Sequence, residues 1–245
     1  MVDKWITHAI LGMRKEMISQ EVLEKFERAG FDSFLDTEII DICLSLSSRS
    51  KNTIRDSKKL IKEKESLSGL IDSDYKDLVS SGVDPQASFT LRLVKEISRR
   101  YLREKALAKP YCRSSREVFD YLFHCLRGLK KEVFMVLFLD PKNQIVKEKI
   151  LFEGTIDSSA VYPREVIKEA LACNATSMIF VHNHPSGDPE PSLCDKEITK
   201  GLVLAANLMQ MKVLDHIIIG NNCYFSFADK GLIEDCNLMF LNLNL

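Results

Sequence analysis

The sequence predicts an α/β (α+β) fold, a mixed sheet flanked by helices, preceded by a small all-helical domain. Apolar residues recur at helical spacing over the first hundred residues, and no alternating strand pattern occurs before about residue 130. Beyond that point short apolar runs alternate with helical segments, which is typical of α/β and α+β domains. The predicted division is a helical domain at 1–104, a linker at 105–115 and a mixed domain at 116–245.

The helical domain is predicted from amphipathic segments. In ISQEVLEKFERAG the residues Val22, Leu23 and Phe26 share one helical face, and Gly30 is of a type that commonly ends a helix. The segments DTEIIDICLSLSS, IRDSKKLIKEKESLSGLI and ASFTLRLVKEISRRYLREKALA continue the same period. KALAKPYCRSS then interrupts it with a proline and small polar residues, which indicates the linker.

The mixed domain is predicted to contain five strands. EVFMVLFLD and TSMIFVHNH are near-continuous apolar runs, typical of strands covered on both faces, and QIVKEKILFEG shows partial alternation. KVLDHIIIG and CYFSFAD supply the other two strands. Helices are predicted in SSREVFDYLFHCLRGL, in YPREVIKEALACNA, which has a proline near its first turn, and in PSLCDKEITKGLVLAANLMQM.

Composition narrows the class of protein. The chain has 245 residues, of which 45% are hydrophobic and 28% charged, and its net charge is −1. These values suit a globular protein and give no overall attraction to nucleic acid or to a membrane. No apolar run has the length of a membrane span, and the N-terminus lacks the pattern of a signal peptide. Seven cysteines without a C-x-x-C pair argue against a disulfide framework or a thiolate zinc cluster, so the expected location is the cytoplasm.

One short stretch, VHNHPSGDPEPSLCD, concentrates groups that bind metals. His182 and His184 are two residues apart, so on a strand both imidazoles point to the same face and can bind one ion. Asp195 lies in the first turn of the following helix, where a tight loop can bring its carboxylate beside them. Three protein ligands with a fourth position for water is the arrangement of a catalytic zinc site.

A structural interpretation of the same residues stays open. Ser192 and Asp195 fit a capping box, in which both side chains satisfy backbone N–H groups at a helix start while the histidines merely lie in a loop. The two interpretations are compatible because Ser192 can cap the helix while Asp195 faces a metal. Asn183, on the opposite side of the strand, is expected to anchor the loop, and His216 is expected to be a structural histidine satisfied by its neighbours.

The complete pattern, His-x-His, seven residues and then Ser-x-x-Asp, resembles the JAMM signature of the MPN-type metallopeptidases. The segments EGTIDSSAVYPREVIKEAL, HNHPSGDPEPS and LDHIIIG are similar to the RadC-like (JAB-type) family of bacterial proteins. This resemblance implies a JAMM/MPN-type domain in which His182, His184 and Asp195 bind Zn²⁺ and a water takes the fourth position. It further implies hydrolysis of an amide or isopeptide bond in a protein or peptide substrate, with Ser192 donating a hydrogen bond to the oxyanion.

The family motif also needs a glutamate at the start of a strand that follows a helix. Glu132 matches this order because it opens EVFMVLFLD, while Glu148 and Glu153 fall in the second strand and suit an exposed face. By the resemblance, Glu132 takes a proton from the zinc-bound water and passes it to the leaving amine. A zinc deaminase needs H-x-E followed by P-C-x-x-C, and it is excluded because the sequence has neither motif.

Members of this family generally carry a helix-hairpin-helix-like segment in the N-terminal domain, a module that elsewhere binds DNA phosphates. The matching stretch is LVSSGVDPQASFTLRLVKEI, where Asp84 replaces a second glycine and brings negative charge to the position of a phosphate. Two basic runs, KNTIRDSKKLIKEK and RLVKEISRRYLREKALAK, suit solvated helix faces or a nucleic-acid surface. The alternative function is therefore a DNA-associated repair or recombination protein whose metal site is vestigial or structural, and a protein-recognition role for this domain is also open.

Overall fold

The computed structural model describes residues 18–47, 53–107, 111–154 and 161–243 of the chain. The chain forms two compact units, Met1–Ile97 and Ser98–Leu245. Within the described ranges, no helix is both long and apolar enough to cross a membrane. The expectations for the N-terminal segment 1–17, and for residues 155–160 within one of the family-like stretches, lie outside the described residues.

The first unit is helical, as predicted. Its elements are α1 (Gln20–Ala29), a 3-10 turn (Phe31–Ser33), α2 (Asp36–Ser47), α3 (Thr53–Glu63), α4 (Leu67–Asp72), α5 (Tyr75–Ser80) and the first part of α6 (Pro85–Leu107). Helix α1 ends at Gly30, whose φ of 65° suits a residue without a Cβ atom. The helices from α2 to α6 share a core of buried apolar side chains: Ile40, Leu44, Leu60, Leu70, Leu78, Val83, Ala87 and Leu91.

The segment 105–115, predicted to be a linker, is largely helical instead. Helix α6 continues to Leu107, with Ala106 fully buried, and the next helix, α7, begins at Tyr111. The strong helix formers of REKALA explain why α6 runs past the predicted boundary. Residues 108–110 lie outside the described part of the chain, and the division into independent domains at 1–104 and 116–245 stays a prediction.

The second unit contains a five-stranded mixed sheet with all the predicted strands, which confirms the predicted fold class. Its elements are α7 (Tyr111–Leu126), β1 (Glu132–Leu139), β2 (Ile145–Gly154), α8 (Pro163–Ala172), β3 (Ser177–Asn183), α9 (Leu193–Leu208), β4 (Lys212–Ile219), β5 (Tyr224–Ser226) and α10 (Leu232–Leu243). The strand order is β2-β1-β3-β4-β5, in which β3 and β4 are parallel and the other neighbours antiparallel. Helix α10 is absent from the elements predicted by the sequence.

Both faces of the sheet are covered, as the apolar strand sequences predict. One face, here called the site face, carries Phe134 and Phe138 of β1 and packs against α8, α9 and α10. The other face carries Val133 and Leu137 and packs against α7. Strands β1 and β3 pair so that Phe134 lies opposite His182, and this register places His182 on the site face.

Candidate metal centre

The candidate centre forms where β3 ends and α9 begins. His182 is the next-to-last residue of β3 and is fully buried. His184 comes just after the strand, but its backbone N–H donates to the carbonyl of Ile219 (2.9 Å), so the pairing with β4 extends to it. The backbone of both histidines is therefore held by β4, and their Nε2 atoms lie 3.0 Å apart.

The predicted ligands His182, His184 and Asp195 are brought together. Asp195 Oδ1 lies 3.2 Å from His182 Nε2, and Asp195 Oδ2 lies 3.5 Å from His184 Nε2. One ligand atom from each of the three residues lies within 4.8 Å of the other two. Two imidazole nitrogens and one carboxylate oxygen are a donor set that Zn²⁺ accepts, so these residues fit the metal that the sequence implies. Their role as ligands stays a prediction.

The predicted capping box at the start of α9 is confirmed, and it shares Asp195 with the cluster. The Asp195 N–H donates to Ser192 Oγ (3.1 Å), and Asp195 Oδ2 accepts from the Ser192 N–H (2.8 Å). The Ser192 hydroxyl also donates to Oδ2 at 2.6 Å. The cap thus holds Oδ2 while Oδ1 faces His182. For Ser192 to donate to an oxyanion, its hydroxyl would have to rotate away from Asp195.

The electrostatics of the cluster favour a negative Asp195 beside cationic or metal-bound groups. Burial by itself raises the pKa of Asp195, but hydrogen bonds with His182, His184 and Ser192 outweigh it and hold that pKa well below its usual range. The hydrogen bond with Asp195 raises the pKa of His184 despite partial burial, and the Asp188 carbonyl and the charge of Glu132 add to the increase. A divalent cation would satisfy the same carboxylate.

A buried chain of hydrogen bonds lies behind His182. His182 Nδ1 is 2.8 Å from His216 Nε2, and His216 Nδ1 is 2.6 Å from the Thr199 hydroxyl. That hydroxyl donates to the backbone carbonyl of Asp195 at 2.5 Å. Complete burial lowers the pKa of His216 well below its usual value, so its ring is neutral. His216 is thus satisfied by its neighbours, as expected, whereas Thr199 was not predicted. Its position four residues after Asp195, on the same helix face, is the only sequence signal for it.

Glu132, the predicted general base, opens β1 on the site face. The β1–β3 register places Phe134 opposite His182, and Glu132 precedes Phe134 by two residues, so both side chains point to one face. The side chain is half-buried, and its charge contributes to the raised pKa of His184. Glu132 lies outside the group of three ligand atoms, which suits a proton acceptor better than a ligand.

The two other candidate glutamates lie away from the centre. Glu148 accepts hydrogen bonds from Arg103 Nε (2.6 Å) and Tyr121 OH (2.8 Å). Glu153 is paired with Val133, whose side chain faces α7, so Glu153 points to the opposite face from the histidines. Of the three candidate glutamates, Glu132 alone lies on the site face beside β3.

Comparison with known proteins identifies the family of the chain. Residues 112–232 match the family model of the RadC-like JAB domain. A UPF0758 protein of Pseudoalteromonas translucida is 42% identical over 216 residues, which cover 88% of this chain and 96% of that protein. UPF0758 proteins of Pasteurella multocida and Haemophilus influenzae are 36% identical over 219 residues and 41% identical over 211. Those alignments cover 89% and 86% of this chain and 98% and 96% of the relatives. The chain belongs to the RadC-like (UPF0758) family.

In this RadC-like chain, Asn183 connects β3, the strand that carries His182, to the start of β1. Its Oδ1 accepts from the Val133 N–H (2.9 Å), and its Nδ2 donates to the Lys131 carbonyl (3.0 Å). These bonds hold the backbone on both sides of Glu132. The side chain lies on the opposite side of the strand from the histidines, as expected, but its bonds to Val133 and Lys131 anchor the segment that carries Glu132 rather than the loop after β3.

The RadC-like signature loop between β3 and α9 is packed tightly against the β4–β5 turn. The Asn221 N–H donates to the Gly187 carbonyl (2.7 Å), and a Cβ atom at Gly220 would lie 2.5 Å from that oxygen. The His184 Nδ1–H donates to the Asp188 carbonyl (2.7 Å), which fixes the orientation of the His184 ring. Glycine at 220 is thus required by the close approach of two backbones.

In the hairpin of this RadC-like chain, between α5 and α6, Asp84 caps the start of α6. Gly82 has a φ of 87°, and Asp84 Oδ1 accepts from the N–H groups of Gln86 (2.9 Å) and Ala87 (3.2 Å). Amides at a helix start are the groups that would otherwise bind a phosphate. The aspartate that departs from the hairpin pattern therefore stabilises α6 and occupies these donors.

Replacing Ser192 with alanine is expected to lower the free energy of unfolding by about 1 kcal/mol, because the N-cap of α9 loses its hydroxyl acceptor. Urea unfolding followed by circular dichroism measures the change. Ser186, which is exposed in the same loop, provides the control, and Ser186→Ala is expected to change stability by less than about 0.5 kcal/mol. Equal effects of the two substitutions would contradict a capping role.

Proposed function

We propose that this RadC-like chain is a zinc-dependent JAMM-type metallopeptidase that hydrolyses an amide or isopeptide bond in a protein or peptide, in the cytoplasm. The observation that carries the proposal is the group of His182, His184 and Asp195, whose ligand atoms lie within 4.8 Å of one another. Among the described residues this group has three members. A structural zinc site commonly has four protein ligands, whereas a catalytic one leaves a position open.

The residues of the chain have distinct roles in the proposed reaction. His182 and His184 would hold the ion through Nε2, and Asp195 through its carboxylate. A zinc ion held there supplies Lewis acidity, which acidifies a water molecule and polarises a carbonyl group. Glu132, on the same face, would accept the proton of the attacking water on its carboxylate and return it to the departing amine nitrogen. Ser192, once its hydroxyl rotates away from Asp195, would donate to the carbonyl oxygen.

The first test is metal content. Protein purified without chelators is expected to contain about one zinc per chain by elemental analysis, as a single site requires. A His182→Ala/His184→Ala double variant is expected to contain almost none, since two of the three ligands are removed. Absence of stoichiometric zinc from the wild-type protein would overturn the proposal.

The second test is bond cleavage. Zinc-loaded protein is incubated with a peptide library, and new peptide ends are identified by mass spectrometry. Cleavage that is absent from the double histidine variant supports the proposal. Zinc-loaded protein that cleaves neither the library nor isopeptide-linked ubiquitin conjugates would contradict the proposed reaction.

The DNA-binding alternative is weakened by the Asp84 cap of α6. We expect no salt-dependent binding of the wild-type protein to fluorescent branched or single-stranded DNA at low ionic strength, where phosphate contacts are strongest. Asp84→Gly, which frees the amides and removes the negative charge, is expected to gain such binding in the same anisotropy measurement. Salt-dependent wild-type binding that Asp84→Gly leaves unchanged would show that another surface binds DNA.

A further inference from the structure

We propose that Thr199 and His216 are positioning residues that keep the proton of His182 on Nδ1 and so reserve Nε2 for the metal. This inference rests on the proposed zinc site. It assigns the affinity of that site partly to two residues that cannot themselves reach the ion. The directions of three buried hydrogen bonds place the proton of His182 on Nδ1.

The direction of the first bond is fixed by Thr199. Its hydroxyl carries a single hydrogen, and that hydrogen is donated to the Asp195 backbone carbonyl, which can only accept (2.5 Å). Toward His216 Nδ1, 2.6 Å away, the Thr199 oxygen must therefore be the acceptor. His216 consequently carries its proton on Nδ1.

The position of the proton on His216 determines which nitrogen of His182 is the donor. Both ring nitrogens of the buried His216 are occupied by uncharged partners, a hydroxyl and a second imidazole, so the ring has one proton, which is on Nδ1. Its Nε2 is then an acceptor, and the 2.8 Å bond requires His182 to donate from Nδ1. His182 therefore keeps a proton on Nδ1 and turns Nε2 toward Asp195 and His184, where the metal would bind.

Three hydrogen bonds join His182 to His216, His216 to Thr199, and Thr199 to the Asp195 carbonyl. The unprotonated Nε2 of His182 lies 3.2 Å from Asp195 Oδ1, so two acceptor atoms face each other where the cation would be held. Each of these four residues is at most 5% exposed. Phe227 stacks on the His216 ring with 4.8 Å between centroids, which holds the plane of the imidazole. Rotation of the His182 ring would break its hydrogen bond to His216 at a fully buried position, which is costly.

The test compares two substitutions of Thr199. Thr199→Val keeps the shape and removes the acceptor, whereas Thr199→Ser keeps the hydroxyl. The zinc dissociation constant, measured by competition with a chromogenic chelator, is expected to rise about 10-fold or more in the valine variant. In the serine variant we expect it to stay within about 3-fold of wild type, because the hydrogen bond is retained. Val203→Ala, a buried substitution one turn further along α9, is the control for loss of packing alone.

A spectroscopic measurement separates this inference from the proposed function. Long-range proton–nitrogen NMR correlations of the histidine rings show which nitrogen of His182 carries the proton, in zinc-free and in zinc-loaded protein. We expect Nδ1 in the wild type and in Thr199→Ser, and a shift of the proton toward Nε2 in zinc-free Thr199→Val. Wild-type protein that shows the Nδ1 proton but binds no zinc would refute the metallopeptidase proposal, while the hydrogen-bond chain through His216 and Thr199 would remain supported. A wild-type His182 without a proton on Nδ1, or equal zinc affinities of the valine and serine variants, would overturn the positioning role of Thr199 and His216.

Discussion

Asp195→Ala is expected to weaken zinc binding by more than about 100-fold, since even residues that only support a ligand change metal affinity by about 10- to 100-fold. The same substitution removes the carboxylate that accepts from the Ser192 N–H, so the start of α9 also loses about 1 kcal/mol of stability. Both quantities are measured on one preparation, by chelator competition and by urea unfolding.

Asp195→Asn separates the two roles of this residue. Its amide oxygen can still accept from the Ser192 N–H, so we expect stability closer to wild type, but the neutral amide is a much poorer zinc ligand than a carboxylate. Ser192→Ala keeps the carboxylate but removes the hydroxyl that donates to Oδ2, so we expect reduced stability and a loss of zinc affinity of about 10-fold, smaller than that of Asp195→Ala. If Asp195→Ala bound zinc as tightly as the wild type, Asp195 would be a helix cap and nothing more.

Glu132→Gln is expected to lower the rate of peptide-bond cleavage by about 10²- to 10⁴-fold, because the amide cannot accept a proton from the attacking water. Zinc content should be unchanged, because Glu132 lies outside the group of ligand atoms. Initial rates on whichever library peptide the wild type cleaves, together with elemental analysis, measure both effects.

Glu153→Gln is the matched control for Glu132→Gln. Glu153 lies opposite Val133 on the neighbouring strand, within one residue of Glu132 along the pairing but on the other face of the sheet. Its substitution removes the same charge from the same end of the sheet and is expected to leave the rate unchanged. Comparable losses in the two variants would point to a general effect of charge rather than to a base at Glu132.

The sequence predicted the ligand cluster because its parts are local. His182 and His184 lie at the end of a strand of period two, and Asp195 lies at a fixed position of a capping box. Neither arrangement depends on distant parts of the chain. The strands were predicted for a related reason, since a sheet buried on both faces leaves continuous apolar runs.

The remaining features depend on tertiary structure. Selecting Glu132 over Glu148 and Glu153 on physical grounds needs the β1–β3 register, which a single sequence does not specify. The bond between Thr199 and His216 joins a helix to a strand, and no local pattern predicts it. The helical period also predicts an apolar face on α1, but it does not predict which element packs against that face. Two residues of the face, Leu23 and Phe26, are each 43% exposed in the structure.

The position of Asn183 between the two histidines has a consequence for how the surroundings of the site can vary in such proteins. One stretch of three residues points its two rings at the candidate metal centre and its amide at the main chain around Glu132. The spacing between the two histidines and Glu132 is consequently a property of two adjacent strands, whereas Asp195 is placed by the loop that follows β3. Loops outside this segment, such as the β1–β2 turn, can therefore change length and composition while the histidines and Glu132 keep their separation.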